Sequence, residues 1–206
     1  MKKRFIILIV LFIISKLYSN TLDLNLNKDE VFYDKNEVIK VMQKYHKKYG
    51  KGEDIDYEGF YHTVKYWSKF YDINFIYALS FYAIESGYTL ECVSSYSAVG
   101  VGQLTSIALT EYNNWYKDDI SFKTLNEQEH YDINVKVSLG YLRLCWDKYT
   151  VIENGTDLLK SYNIGVGNLR KIKNGTYLND DFWVQSANKY ERKFTEVYND
   201  FAKCRR

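Results

Sequence analysis

The chain has 206 residues, enough for one domain with a sizeable core, and its formal net charge is +2. That excess lies entirely at the start: without Lys2, Lys3, Arg4 and Lys16 the net charge is −2, so residues 20 onward carry no basic surplus that would make nucleic acid the partner. Proline is absent, where average usage would supply about ten, which leaves the backbone free to run long helices.

In chain order, Lys2, Lys3 and Arg4 precede an uncharged apolar run from Phe5 to Ile14. That is the layout of a signal peptide over residues 1–19, too short in its apolar part to span a bilayer easily. Leu17-Tyr18-Ser19 has a small residue only at its end, so an uncleaved anchor is the alternative. Residues 20–34 are polar and unpatterned and read as a linker or arm, leaving 35–206 as the domain. Val38, Met42 and Tyr45 form one helical stripe, and Phe60, Val64, Trp67 and Tyr71 form a second. The segment 74–86, "NFIYALSFYAIES", is apolar nearly all round, which places a helix at the centre of the domain.

Further along, Ile133, Val135, Val137, Leu139 and Tyr141 alternate like a strand. Val135, Leu139, Leu142 and Trp146 also make a longer helical stripe, and helix is the reading adopted. The two Asn-Gly-Thr triplets, at 154–156 and 174–176, mark turns. Near the end, Trp183, Ala187, Tyr190, Phe194, Val197 and Phe201 keep helical spacing, with Asp180 and Asp181 as cap candidates. The architecture expected is therefore all-α.

Two near-identical loops stand out: Gly100-Val101-Gly102-Gln103-Leu104 and Gly165-Val166-Gly167-Asn168-Leu169. Neither has the third glycine of a dinucleotide fingerprint nor the ending of a P-loop, so phosphate binding is not indicated. Glu85 ends the apolar helix, where burial and the negative end of the helix dipole both disfavour its charged form. A carboxyl kept protonated near neutral pH is what protonation of a glycosidic oxygen needs. Taken alone, Glu85 fits an ordinary glutamate at the first exposed turn better than an acid catalyst.

The surrounding pattern reverses that. The stretch "ESGYTLECVSSYSAVGVGQL", from Glu85 through Ser94 and Gly100 to Gln103, resembles the catalytic segment of the soluble lytic transglycosylase family, the goose-type-lysozyme-like enzymes of peptidoglycan. "DINVKVSLGYL" at 132–142 resembles that family's Asn-x-x-x-Gly-x-x-Tyr-Leu helix, and "SYNIGVGNL" at 161–169 its Ala-Tyr-Asn-x-Gly motif. The three blocks occur in the family's order, over about residues 70 to 195. Departures occur at Ser97, where the family has glycine, at Gly102 and Thr105, where it has methionines, and at Ser106, where proline is common. These leave the sugar-subsite preference open.

The resemblance implies a lysozyme-like helical domain that cleaves the β-1,4 bond between N-acetylmuramic acid and N-acetylglucosamine, leaving 1,6-anhydro ends. Glu85 would serve as general acid and then base. Ser94, Gly100, Gln103, Tyr162 and Asn163 would bind or orient the sugar, and the two glycine loops would form two lips of one groove. It implies no cofactor and no metal, a monomer acting on glycan strands in the periplasm or cell envelope, and a secretion or flagellar apparatus as a candidate partner. The rivals are lysozyme-type hydrolysis, for which Glu91, Asp118 or Asp119 would supply a second carboxylate, and a wall-binding protein without turnover. His46, His62 and His130 show no ligand spacing. Cys92, Cys145 and Cys204 are an odd set, and a Cys92–Cys145 bond would staple the loop after Glu85 to the helix of the second block.

Overall fold

The computed structural model describes residues 32–52 and 54–205; residues 1–19 and most of the arm at 20–34 lie outside that range. Eight α-helices carry the described chain: α1 Lys35–Tyr49, α2 Tyr57–Phe70, α3 Phe75–Glu85, α4 Ser106–Tyr116, α5 Tyr131–Lys148, α6 Gly155–Ile164, α7 Val166–Lys173 and α8 Phe182–Ala202. Among the described residues the only β pairings are isolated bridges. One of them joins Tyr33 to Arg205, and the amide of Asp34 also bonds the carbonyl of Cys204, so the first described residues are tied to the last.

Most helix starts are written in the sequence. The side chains of Asp34, Asp56, Asn74, Thr105 and Asn154 each accept an amide of the first turn they precede, satisfying donors that the helix itself cannot. Asp181 occupies the cap position of α8, but its carboxylate accepts the amide of Leu178 in the preceding turn.

Helix α3 is buried along Ile76 to Ala83 and packs against α1, α2 and α8. An apolar surface on every side requires partners on every side. Its tyrosines also tie it across the core: the Tyr77 hydroxyl donates to the Gly155 carbonyl at 3.1 Å, and that of Tyr82 lies 2.8 Å from Ser138 Oγ on α5. The alternating segment at 133–141 is helical, with Val135, Val137, Leu139 and Leu142 all buried. Its strand-like alternation arises because α5 is enclosed by α2, α4 and α6 and so buries more than one face.

Candidate active site

The loop from Ser86 to Thr105 closes on itself as a small irregular hairpin. Val99 exchanges two backbone bonds with Leu104, at 2.9 and 3.0 Å, and the Ser94 amide donates to the Ala98 carbonyl. Positive φ angles at Gly87, Tyr88, Ser97, Gly100 and Gln103 give it its sharp turns. Ser97, at φ 58°, thus takes the left-handed conformation that suits the glycine found there in the resembling pattern.

Asn134, fully buried on α5, holds the hairpin in place. Its Oδ1 accepts the Gly102 amide at 2.8 Å, and its Nδ2 donates to the carbonyls of Leu125 at 2.7 Å and Val99 at 3.2 Å. The glycines of the first loop answer to this packing. A Cβ on Gly100 would stand 2.1 Å from Asn134 Nδ2, and one on Gly102 would stand 2.6 Å from Ser138 Cβ. Their backbone approaches α5, which gives the departure at Gly102 a local reason. In the second loop, Gly165 has φ 80° at the break between α6 and α7, and a Cβ there or on Gly167 would meet open space.

Glu85 ends α3 where this loop begins, partly exposed. The Tyr190 hydroxyl, from α8, donates to its Oε1. Burial pushes the Glu85 carboxyl up to about 8, and the Tyr190 bond, which favours the carboxylate, only partly offsets this. The helix dipole acts in the same direction as burial. Tyr162 and Cys92 both feel the Glu85 charge: burial and then Glu85 hold the Tyr162 hydroxyl well above its ordinary range, and the Cys92 thiol is pushed up to about 11, chiefly by burial.

The other residues singled out from sequence are placed as follows. Gln103 donates from Nε2 to Gly100 O at 2.9 Å and to Cys92 Sγ at 3.0 Å, which leaves Oε1 as its remaining acceptor. Tyr162 packs edge-on against Phe81 and donates to the Gly102 carbonyl at 2.6 Å, so the third block sits directly against the first loop. Ser94 Oγ accepts the amides of Tyr96 and Ala98 and braces the hairpin. Gly100 turns inward: it is buried, with its amide bonded to Cys92 O and its carbonyl to Gln103. Asn163, exposed on the last turn of α6, accepts the Ser186 hydroxyl at 3.1 Å. Gln103 and Tyr162 are therefore both tied to the first loop, through Cys92 and Gly100 in one case and Gly102 in the other, and Cys92 and Tyr162 both feel the Glu85 charge.

Tyr190 was legible only as one member of a packing stripe. Its signal is a polar-tipped aromatic on the inward face of the helix that packs on α3. Replacing it by phenylalanine removes a donor to the charged form, so Glu85 is expected to titrate higher, by about one to two pH units. The alkaline limb of the pH–rate profile should move up, with kcat reduced about tenfold; an unmoved limb would show that the bond does not tune the acid.

The proposed staple is not formed: Cys92, Cys145 and Cys204 are all free thiols, and the Cys92 sulfur is engaged with Gln103 and lies within reach of the Thr89 and Gly100 carbonyls. Of the candidate second carboxylates, Asp118 is bound to Lys136 at 2.7 Å, which holds it below the usual range. Asp119 and Glu91 are exposed. His130 stands with Glu127 and Glu129, their ligand atoms within 4.8 Å, a surface group that a search for paired histidines passes over. A cavity of about 580 Å³, with Asp54, Phe60, Leu90, Glu91 and Tyr131 in its lining, does not include Glu85. The chemistry, not the volume, marks the site.

No family model matches the sequence, and no curated protein matches it. The fold does have solved counterparts. The inactive mutant of the lytic transglycosylase Slt from Pseudomonas aeruginosa superposes with a TM-score of 0.56 at 16% identity, over 69% of this chain. The chain spans about a quarter of that protein's length, 24%. The likeness shows the fold, an all-α lysozyme-like domain of the kind found in that transglycosylase.

Proposed function

We propose that this protein is a lytic transglycosylase that cleaves the bond between N-acetylmuramic acid and N-acetylglucosamine in peptidoglycan. The observation that carries the reading is Glu85, a carboxyl held protonated near neutral pH by burial and hydrogen-bonded to Tyr190. The solved counterpart named above is an inactive glutamate-to-glutamine mutant of a lytic transglycosylase, which supports a glutamate with an essential role in this fold.

In the proposed reaction the Glu85 proton passes to the glycosidic oxygen as the bond from the muramoyl C1 breaks. The departing N-acetylglucosamine keeps that oxygen as a hydroxyl, and positive charge develops at C1. The Glu85 carboxylate then takes the proton of the muramoyl C6 hydroxyl as O6 closes on C1. Glu85 ends protonated, as it began, and no water is consumed. Tyr190 steadies the carboxylate between the two steps, and the Tyr162 oxygen, close to Glu85, faces the developing charge. Gln103 presents Oε1 to a sugar donor, and Ser94 and Asn163 frame the groove.

Inverting hydrolysis requires a carboxylate ~6.5–9.5 Å from the acid to activate water. The pairing of Asp118 with Lys136 and the exposure of Glu91 and Asp119 weigh against that route. The basic and apolar start of the chain supports action outside the cytoplasm, in the periplasm or cell envelope. Incubation of purified sacculi with wild type and with Glu85→Gln tests the reading: wild type should solubilise them and the variant should not. Equal solubilisation would remove Glu85 from the chemistry, and none by either would favour a wall-binding protein.

A further inference from the structure

We propose that Trp183, with Phe182 beside it, is an aromatic platform for a sugar ring of the glycan strand, away from the bond at Glu85. The inference rests on the glycosidase reading above and extends it to a residue and a subsite.

The spacing of α8 predicts Trp183 as the first residue of its packing stripe, and the structure departs from that. Ala187, Phe194, Val197 and Phe201 are buried, whereas Trp183 is 37% exposed and Phe182 is 64% exposed. The two rings meet edge to face, with centroids 5.1 Å apart. Other aromatics are also exposed, Phe70 and Trp115 among them, so it is the place of this pair, not its exposure, that points to an occupant.

Its position names that occupant. Trp183 and Tyr190 are seven residues apart, which puts them within ~20° of one another around α8 and ~10.5 Å apart along it, a span of roughly two linked pyranose units. Tyr190 holds Glu85. Between them on the same edge, the Ser186 hydroxyl donates to Asn163 Oδ1 at the exposed end of α6. From the acid outward, one helix edge therefore offers the acid and its tyrosine, then a half-buried hydroxyl with an exposed amide, then an exposed aromatic pair. A glycan matches that order: a sugar ring has an apolar C–H face that lies on an aromatic and a polar rim that bonds hydroxyl and amide groups.

The test uses oligomers of N-acetylglucosamine of increasing length, titrated calorimetrically into Glu85→Gln, where cleavage is blocked, and into Glu85→Gln carrying Trp183→Ala. Far-UV circular dichroism checks that the exposed substitution leaves the fold intact. Affinity is expected to step up once the oligomer is long enough to reach Trp183, and Trp183→Ala should remove that step, a loss of about tenfold for the longer oligomers. Trp183→Phe should restore part of it. Unchanged affinity at every length, with Glu85-dependent solubilisation of sacculi intact, would overturn the platform and leave the proposed reaction standing. Failure of every oligomer to bind, together with failure of wild type to solubilise sacculi, would overturn both.

Discussion

Glu85→Gln is expected to abolish turnover, by about 10³-fold or more, and at the same time to make the protein more stable. The loss follows from removing the group that gives and retakes the proton in the proposed reaction. The gain follows from linkage. The carboxyl titrates near 8 in the folded protein against an ordinary 4.5. Below pH 4.5 both folded and unfolded chains hold the proton, and Glu85 costs nothing. As pH rises from 4.5 to 8 the unfolded chain ionises while the folded chain does not, so native stability falls by up to about 1.4 kcal/mol per pH unit and then levels off. Solvent reaches part of the side chain, so a penalty of about 2–3 kcal/mol at pH 7 is the expected size. Urea unfolding of wild type and Glu85→Gln at several pH values reads this directly. The two curves should coincide near pH 4.5 and separate up to pH 8, with the variant the more stable; equal stability at alkaline pH would show that Glu85 is not held in its neutral form. A destabilising group kept at a candidate site is the usual trade of stability for activity.

Asn134→Leu should be the most damaging single change outside the acid itself. Leucine has similar volume but no polar atoms, so the Gly102 amide and the Leu125 carbonyl lose their partner where water does not replace it, and the Val99 carbonyl is left with the Leu104 amide alone. Each stranded group costs about 1–3 kcal/mol, and some relaxation of the hairpin is available, so a total near 4 kcal/mol is expected, or a fall in Tm of roughly 10 °C. Activity should fall with it, because Gln103 and the Gly102 carbonyl that receives Tyr162 belong to the same hairpin. Thermal unfolding checks the first effect and sacculus solubilisation the second. A loss below about 1 kcal/mol would mean that the hairpin holds its shape without α5.

Particular residues show where the sequence was sufficient and where it was not. Helix α3 was legible because the ten residues from Phe75 to Ile84, apolar nearly all round, have only one stable place, the centre. Of the cap candidates read from the sequence, Asp181 stands at the cap position of α8 but turns its carboxylate to the Leu178 amide, whereas Asp34, Asn74 and Thr105 cap their helices by local geometry. Helix α5 was ambiguous because enclosure by several neighbours blurs its period. Tyr190 and Asn134 show what spacing cannot give: each takes its meaning from a partner far along the chain, Glu85 for one and Gly102 for the other. The glycines of the first loop could be seen to permit close approach, but not that the approach is to α5. Trp183 reads as core by period and stands at the surface, because the stripe begins before the neighbouring helices can cover it.

The most direct measurement is mass spectrometry of the products released from purified peptidoglycan, with Glu85→Gln as control. The proposed mechanism predicts Glu85-dependent muropeptides that end in a 1,6-anhydro ring, lighter by one water than their hydrolysed counterparts. Glu85-dependent products with ordinary reducing ends would contradict it, and would place water, not the C6 hydroxyl, at the muramoyl C1.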